Sequence, residues 1–212
     1  MDNPVMIFGT GGLGRAALEI FVANGNIVYG FLEDDKKTHK TDIDDVQVLG
    51  STSDDGFLKL IGKKCEAFIA SDDNKLRKSL AKMLKEKRKM MPVNAIHDTA
   101  IMATSSTIGH GNFVNAGVVI GAGVDIADHC LLHSKSVIDH NAKLGDLVQV
   151  GAGSIINSNA ELSEGAFIGS GSTVVSGVKI GKNARVGAGS VVIADVPDGA
   201  TVFGNPALEI KQ

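Results

Sequence analysis

Near neutral pH the side chain best suited to carry a proton is histidine, and the chain has six: His39, His97, His110, His129, His133 and His140. His39 stands in the polar run KKTHKTD, where a solvated surface ring is expected, and His97 opens the repetitive half of the chain. His140 is set apart by its neighbours Asp139 and Asn141. A carboxylate beside an imidazole fixes its tautomer and raises its basicity. Successive residues of an extended chain point to opposite sides, so only one flank can face the ring; a merely solvated Asp139 is the equal alternative. A second stretch with chemical potential is Gly9-Thr10-Gly11-Gly12-Leu13-Gly14. It follows an apolar strand, Val5–Phe8, and opens an amphipathic helix, so its backbone N–H groups form an anion site. As a GxGxxG pattern it is by itself a weak nicotinamide-cofactor signal.

The elements that hold these residues follow two different patterns. The chain has 212 residues, 21 Lys+Arg against 24 Asp+Glu, and 43% hydrophobic residues. That composition supports a folded core, and the mild acidity argues against nucleic acid as a partner. Cys65 and Cys130 fit neither a disulfide framework nor zinc-finger spacing, and no apolar run approaches a membrane span. The start MDNPVMIFGTGG lacks a basic leader region, so a soluble cytoplasmic protein is expected. Residues 1–95 hold 15 Lys+Arg, 14 Asp+Glu and 9 Gly, whereas 96–212 hold 6, 10 and 17. The first part alternates strands (Val5–Phe8, Ile27–Leu32, Val46–Leu49, Ala67–Ala70) with helical stretches. These are the segment after Gly14, a short one at Phe57–Ile61, and one from Leu76 to about Lys89. Such alternation predicts a small parallel sheet covered by helices. The cations Lys82, Lys85, Lys87, Arg88 and Lys89 then close a helix as a solvated terminus.

From Ile96 onward the period is six. The first residue of each block, from Ile96 and Met102 to Val186 and Val192, is aliphatic or Met in 17 of 17 cases. At the chain's hydrophobic frequency a fixed frame would do this by chance roughly once in a million. The fifth residue, Ala100 through Val196, is small or β-branched almost throughout, and Gly or another small residue recurs at the second and fourth places. A short strand and a tight corner, repeated, point one aliphatic inward per block, and no block can bury its own face without stacking on the next. With coils of about 18 residues, His110 and His129 come close together as exposed decoration.

These blocks resemble the hexapeptide-repeat acyltransferases. The stretches IFGTGGLGRAALEI, GFLEDD, IASDDNKLRKSLA, SVIDHNAKLGD and VFGNPA are similar to those of the NeuD/PglD-type sugar O/N-acetyltransferases. The resemblance implies an N-terminal Rossmann-like α/β domain over 1–92 that binds a nucleotide-linked amino sugar. A left-handed parallel β-helix with a C-terminal cap over 93–212 follows. It also implies acetyl-CoA as co-substrate, no metal, and a homotrimer with its active sites between subunits. On this likeness His140 is the general base and Asp139 its acidic partner. Gly9, Gly11, Gly12 and Gly14 serve the pyrophosphate, and Asp34 and Asp35 the base or ribose. His133 and Asn141 fall on the acceptor side. Gln149, Ser158, the column Gly151, Gly169 and Gly187, and Asn205-Pro206 of the terminal turn fall on the CoA side. Relatives usually carry Asn at His133, a second His at Gln149, Gly at Ser158, an acid at Asn141 and often His at Leu13. A backbone N–H at Ser158 still serves an oxyanion.

The expected function is acetyl-CoA-dependent N-acetylation of a nucleotide-linked amino sugar in surface glycan synthesis. O-acetylation of a sialic-acid-like sugar and a catalytically impaired sugar-nucleotide-binding module are the alternatives. A trimeric metal hydratase using His129, His133 and His140 ranks lower, and a nicotinamide oxidoreductase gains nothing from the stacked coils.

Overall fold

The computed structural model describes residues 3–210, in two compact units that divide between Asp98 and Thr99. In the first unit, β1 (Val5–Phe8), α1 (Gly12–Ala23), β2 (Val28–Leu32), β3 (Asp42–Ile43), β4 (Val46–Gly50), α2 (Asp55–Leu58), β5 (Glu66–Ile69) and α3 (Asn74–Met83) follow one another. The sheet order is β3-β4-β2-β1-β5, parallel except for the β3–β4 hairpin. That hairpin is absent from the sequence reading. Asp44 and Asp45 turn it with φ of 46° and 66°, the positive pair that a tight two-residue hairpin demands. Alternate residues of β1 and β5 pack to opposite sides: Met6, Phe8, Ala67 and Ile69 bury against Leu58, Leu80 and Leu84, while Phe68 meets Phe21 of α1 edge-on at 5.7 Å. Asp73 caps α3 through the N–H groups of Lys75 and Leu76. The helix then loosens into a π-turn, Leu84–Arg88, and stops at Lys89 with φ 57°.

The second unit is the stacked coil. Its strands form three parallel sheets, one per face of a triangular prism. Face A carries Ile101–Met102, Val119–Ile120, Val137–Ile138, Ile155–Ile156, Thr173–Val174 and Val191–Val192. Face B carries Thr107–Ile108, Asp125–Ile126, Lys143–Leu144, Glu161–Leu162 and Lys179–Ile180. Face C carries Phe113–Val114, Leu131–Leu132, Gln149–Val150, Phe167–Ile168 and Arg185–Val186. Pairs such as Ile138↔Ile156 and Leu144↔Leu162 put each residue over the one 18 positions earlier. From Val114 to Val192 every first-place aliphatic is buried, as is every fifth-place residue from Asn112 to Val196. The fourth-place residue turns each corner, with φ between 53° and 74° from Gly111 to Gly189. Together with the hexapeptide repeats, this is a left-handed parallel β-helix that follows a Rossmann-like α/β domain in the chain. Thr201–Gly204 adds to face C beside Arg185–Val186, and Ala207–Glu209 folds back antiparallel to close the coil. The turn between them holds Asn205-Pro206, with a cis peptide bond.

Candidate active site

The corner between faces A and B carries Asp139, His140 and Asn141. Ile138 is buried in the coil, so the chain leaves face A with Asp139 and His140 at the surface. One carboxylate oxygen of Asp139, Oδ1, accepts the backbone N–H of His140 at 2.7 Å and lies 2.9 Å from its ring Nδ1. Those two bonds hold the Asp139 carboxyl below its ordinary value of 3.8. A charged carboxylate at Nδ1 keeps the proton on that nitrogen and leaves the Nε2 lone pair outward. The ring is 55% exposed, so Nε2 is accessible. Asn141 does other work. It takes the positive-φ corner position at 58°, which Asn tolerates better than most residues, and its Oδ1 lies over Gly123 of the coil below. Of the two flanks, Asp139 is the one that addresses the imidazole.

The 18-residue register defines what else shares the site. Ala122, His140, Ser158 and Ser176 form one column, joined by Asn159 N–H to His140 O and Gly177 N–H to Ser158 O, both at 3.0 Å. Ser158 therefore lies one coil beyond His140, and its hydroxyl donates to Ser176 Oγ at 3.1 Å. His133, Gly151, Gly169 and Gly187 form another column, at the corner between faces C and A, with the His133 ring 6.0 Å from that of Phe113. Within one chain face A separates this column from His140. A Cβ on Gly151 would come within 2.5 Å of Ser170 N, and on Gly169 within 2.5 Å of Ala188 N. Neither corner dihedrals nor an open groove is needed to explain these glycines, because the next coil already fills the space. A Cβ on Gly187 would meet Phe203 of the cap hairpin at 2.2 Å, which places Asn205-Pro206 at that end of the column. Gln149 lies on flat face C and is buried.

The remaining histidines are dispersed. His129 is buried rather than surface decoration, while His110 is exposed with Nδ1 3.6 Å from Asp128. The His39 ring is half-buried, its Nε2 2.7 Å from the carbonyl of Glu33. His129, His133 and His140 occupy three different corners of the prism, and among the described residues no three His, Cys, Asp or Glu side chains converge as metal ligands.

In the α/β unit a cleft of about 230 Å³ opens at the carboxyl ends of β1, β2 and β5, lined by Gly9–Gly11, Glu33, Asp34, Thr52, Ser71 and Asp72 among others. Such crevices are where open α/β sheets bind ligands. The glycines divide by cause. Gly9 has φ 106° and a Cβ there would strike Ala70 O at 2.4 Å; a Cβ on Gly14 would strike Gly9 O at 2.2 Å. Both are required by the close approach of loop, strand and helix. At Gly11 and Gly12 nothing lies within 4 Å, and no side chain caps α1. Open space above uncapped helix amides is a cradle for an anion.

The acids of this cleft are arranged otherwise than the sequence suggested. Glu33, passed over in that reading, accepts both N–H and O–H of Thr10 on Oε2, and Asp34 N–H on Oε1. Asp34 grips the opposite loop through Thr52 N–H, Thr52 Oγ1 and Ser51 Oγ. Burial by itself would raise both carboxyls, but these hydrogen bonds outweigh it and hold Glu33 below 4.5 and Asp34 below 3.8. Asp35 accepts Lys37 N–H as a turn cap and is not among the residues lining the cleft. Three consecutive acids carry no sign in sequence of which one folds back onto the glycine loop.

Residues 4–84 match the PglD N-terminal domain and residues 159–194 the bacterial transferase hexapeptide repeats. PerB from Caulobacter crescentus, solved with CoA and GDP-perosamine, is 32% identical over 100% of this chain and 99% of its own, with a TM-score of 0.88. This chain belongs to the PglD-type sugar acetyltransferases of the hexapeptide-repeat family. The acetyltransferase domain of PglB from Neisseria gonorrhoeae, solved with acetyl coenzyme A, is 25% identical over 99% of this chain and 100% of its own, with a TM-score of 0.88. WeeI from Acinetobacter baumannii shares the fold at 23% identity, over 98% of this chain and 99% of its own, with a TM-score of 0.84. Among curated proteins none matches the chain significantly. Membership in this family gives the open Asp139–His140 corner and the acid-lined glycine cleft a common context.

Proposed function

We propose that the protein transfers the acetyl group of acetyl-CoA to the amino group of a nucleotide-linked sugar. The observation that carries this is the Asp139–His140 pair: a base with its tautomer set and its outer nitrogen open, in a chain similar end to end to PerB, which was solved with CoA and GDP-perosamine. His140 Nε2 takes a proton from the sugar amine as its nitrogen attacks the thioester carbonyl. The tetrahedral oxyanion is met by the Ser158 N–H, one coil beyond the base. Collapse forms the amide, breaks the C–S bond, and the imidazolium returns its proton to the departing thiolate of CoA. Asp139 stabilises the transient imidazolium.

The cleft of the α/β domain takes the nucleotide, with its diphosphate on the amides around Gly11 and Gly12 and its hydroxyls or base edge on the lining acids. A homotrimer supplies what one protomer divides between two corners. It sets the His133–Gly151–Gly169–Gly187 column, Gln149 and the Asn205-Pro206 cap of one subunit against the His140 corner of the next, enclosing the pantetheine arm. The outward residues of face A support this, since five of the six, Ile101, Val119, Val137, Ile155 and Val191, are aliphatic and the sixth is Thr173, with Ile101 64% and Ile155 40% exposed. By contrast face B carries Asp125, Lys143, Glu161 and Lys179. No helix among the described residues is long and apolar enough to cross a membrane; acetyl-CoA and a nucleotide sugar as substrates support a cytoplasmic reading.

Thiol release from acetyl-CoA, followed against GDP-, UDP- and dTDP-linked amino sugars, tests the assignment. Amide product with at least one of them, and a loss of on the order of 100-fold or more in His140→Ala, are expected. Ester product would shift the reading to O-acetylation. Tight nucleotide-sugar binding without any thiol release would make the protein a binding module.

A further inference from the structure

The cations of α3 and its π-turn take no part in either site. Residues 75–89 carry eight Lys and Arg against the single acid Glu86, in a chain whose net charge is −3. The structure sorts them by kind. Arg77 is buried and donates to Ser71 O and Asn74 Oδ1; Arg88 donates to the carbonyls of Lys59 and Ile61. Both guanidinium groups are spent on the fold. Lys75, Lys78, Lys82, Lys85, Lys87 and Lys89 are all exposed. Lys75, Lys78 and Lys82 follow one another at the three- and four-residue spacing of a single helix face, and Lys85 and Lys89 join Lys82 around an open cleft of about 670 Å³. Glu86, 3.8 Å from Lys82 Nζ, and the half-buried Met90 and Met91 complete its lining.

We propose that this lysine face docks the protein on the surface of an anionic phospholipid bilayer. Lysines are compact, hydrated point charges, suited to diffuse attraction by many phosphates, whereas forked recognition of one phosphate calls for arginine. The cleft holds no aromatic ring on which a nucleobase would stack. The two unbranched thioether side chains give it an apolar floor beside the ammonium groups, the composition of an interfacial contact. The acidity of the chain as a whole disfavours any other approach to such a surface and so orients the molecule with α3 toward it. The inference is independent of acetyl transfer, because none of these lysines lines the glycine cleft or belongs to the coil that carries His140.

Co-sedimentation of the full-length protein with vesicles of phosphatidylcholine containing about one third phosphatidylglycerol, and with phosphatidylcholine alone, decides it. Binding only to the anionic vesicles at low salt, largely lost at about 0.5 M salt, is expected from the short screening length there. Each lysine near the surface contributes on the order of fivefold, so Lys85→Glu with Lys89→Glu lowers partitioning by more than 20-fold. Glu86→Gln, which removes the opposing charge, raises it several-fold, a gain that misfolding cannot produce. Equal binding to neutral vesicles, no binding to anionic ones, or indifference to all three substitutions overturns the proposal. So does equal or tighter binding of a single-stranded oligonucleotide or an acidic polypeptide at matched salt, which would make the face a general polyanion site. Acetyl transfer measured on the same variants without vesicles stays at the wild-type rate, so failure of either reading is recognised separately.

Discussion

At His140 the chemistry depends on which proton sits where. The Asp139 carboxylate holds the Nδ1 side at 2.9 Å, and the open Nε2 is the basic atom. Asp139→Asn keeps the shape but removes the charge that stabilises an imidazolium, so kcat falls by on the order of tenfold or more with KM for acetyl-CoA nearly unchanged. Steady-state kinetics checks this; an unchanged kcat would reduce Asp139 to a corner residue. At Glu33 the same physics acts on stability. Its folded-state carboxyl is held below 4.5 by the hydrogen bonds of Thr10, Asp34 and Asp35. It therefore contributes stability that is fully present above 4.5 and lost as the pH falls through the lower folded value. Glu33→Gln flattens the acid side of the melting-temperature profile below about pH 4.5, and nucleotide binding weakens as the Thr10 loop loses its anchor.

The loop between β1 and α1 shows how one motif combines two separate demands. Gly9 is needed by the fold, since its φ of 106° and the 2.4 Å approach to Ala70 O leave no room for a side chain. Gly9→Ala costs about 2–4 kcal/mol. Gly11 faces open space, so Gly11→Ala costs at most about 1 kcal/mol, from the poorer helix cap, while nucleotide binding drops tenfold or more. Thermal melts set beside nucleotide titrations separate the two, and equal destabilisation would refute the division. Gly169 belongs with Gly9: its Cβ would lie 2.5 Å from Ala188 N, so Gly169→Ala destabilises the coil by about 2 kcal/mol or more.

Two faces of the prism present unlike surfaces. Face B is charged outward and laced by pairs such as Lys179–Glu161 at 3.4 Å, exposed bonds of small individual worth. Face A is aliphatic outward except at Thr173, the surface on which the proposed trimer would close. If the proposed trimer closes on this face, a charge in its middle, Ile155→Glu, is expected to give a monomer in sedimentation or light scattering and to abolish acetyl transfer while the monomer keeps its β-rich circular dichroism. A wild-type monomer with full activity would remove the need for a shared cleft.

The six-residue period by itself determined the coil, because each first-place aliphatic from Val114 to Val192 has nowhere dry to go except the stacked interior. The alternating half was legible as a parallel sheet for the same reason, and the β3–β4 hairpin escaped because Asp44-Asp45 holds its turn without the glycine that marks such turns. The site was readable as residue types: an imidazole with an adjacent acid, a glycine loop, acids at a strand end. Only tertiary structure decided how they are arranged. Hydrogen-bond direction separates Asp139 from Asn141 and Glu33 from Asp34 and Asp35. Clearance in space separates Gly9 and Gly14, which the chain itself crowds, from Gly11 and Gly12, which it leaves open. Periodicity is a property of order along the chain, whereas direction and clearance arise from residues far apart in sequence, and no local pattern encodes them.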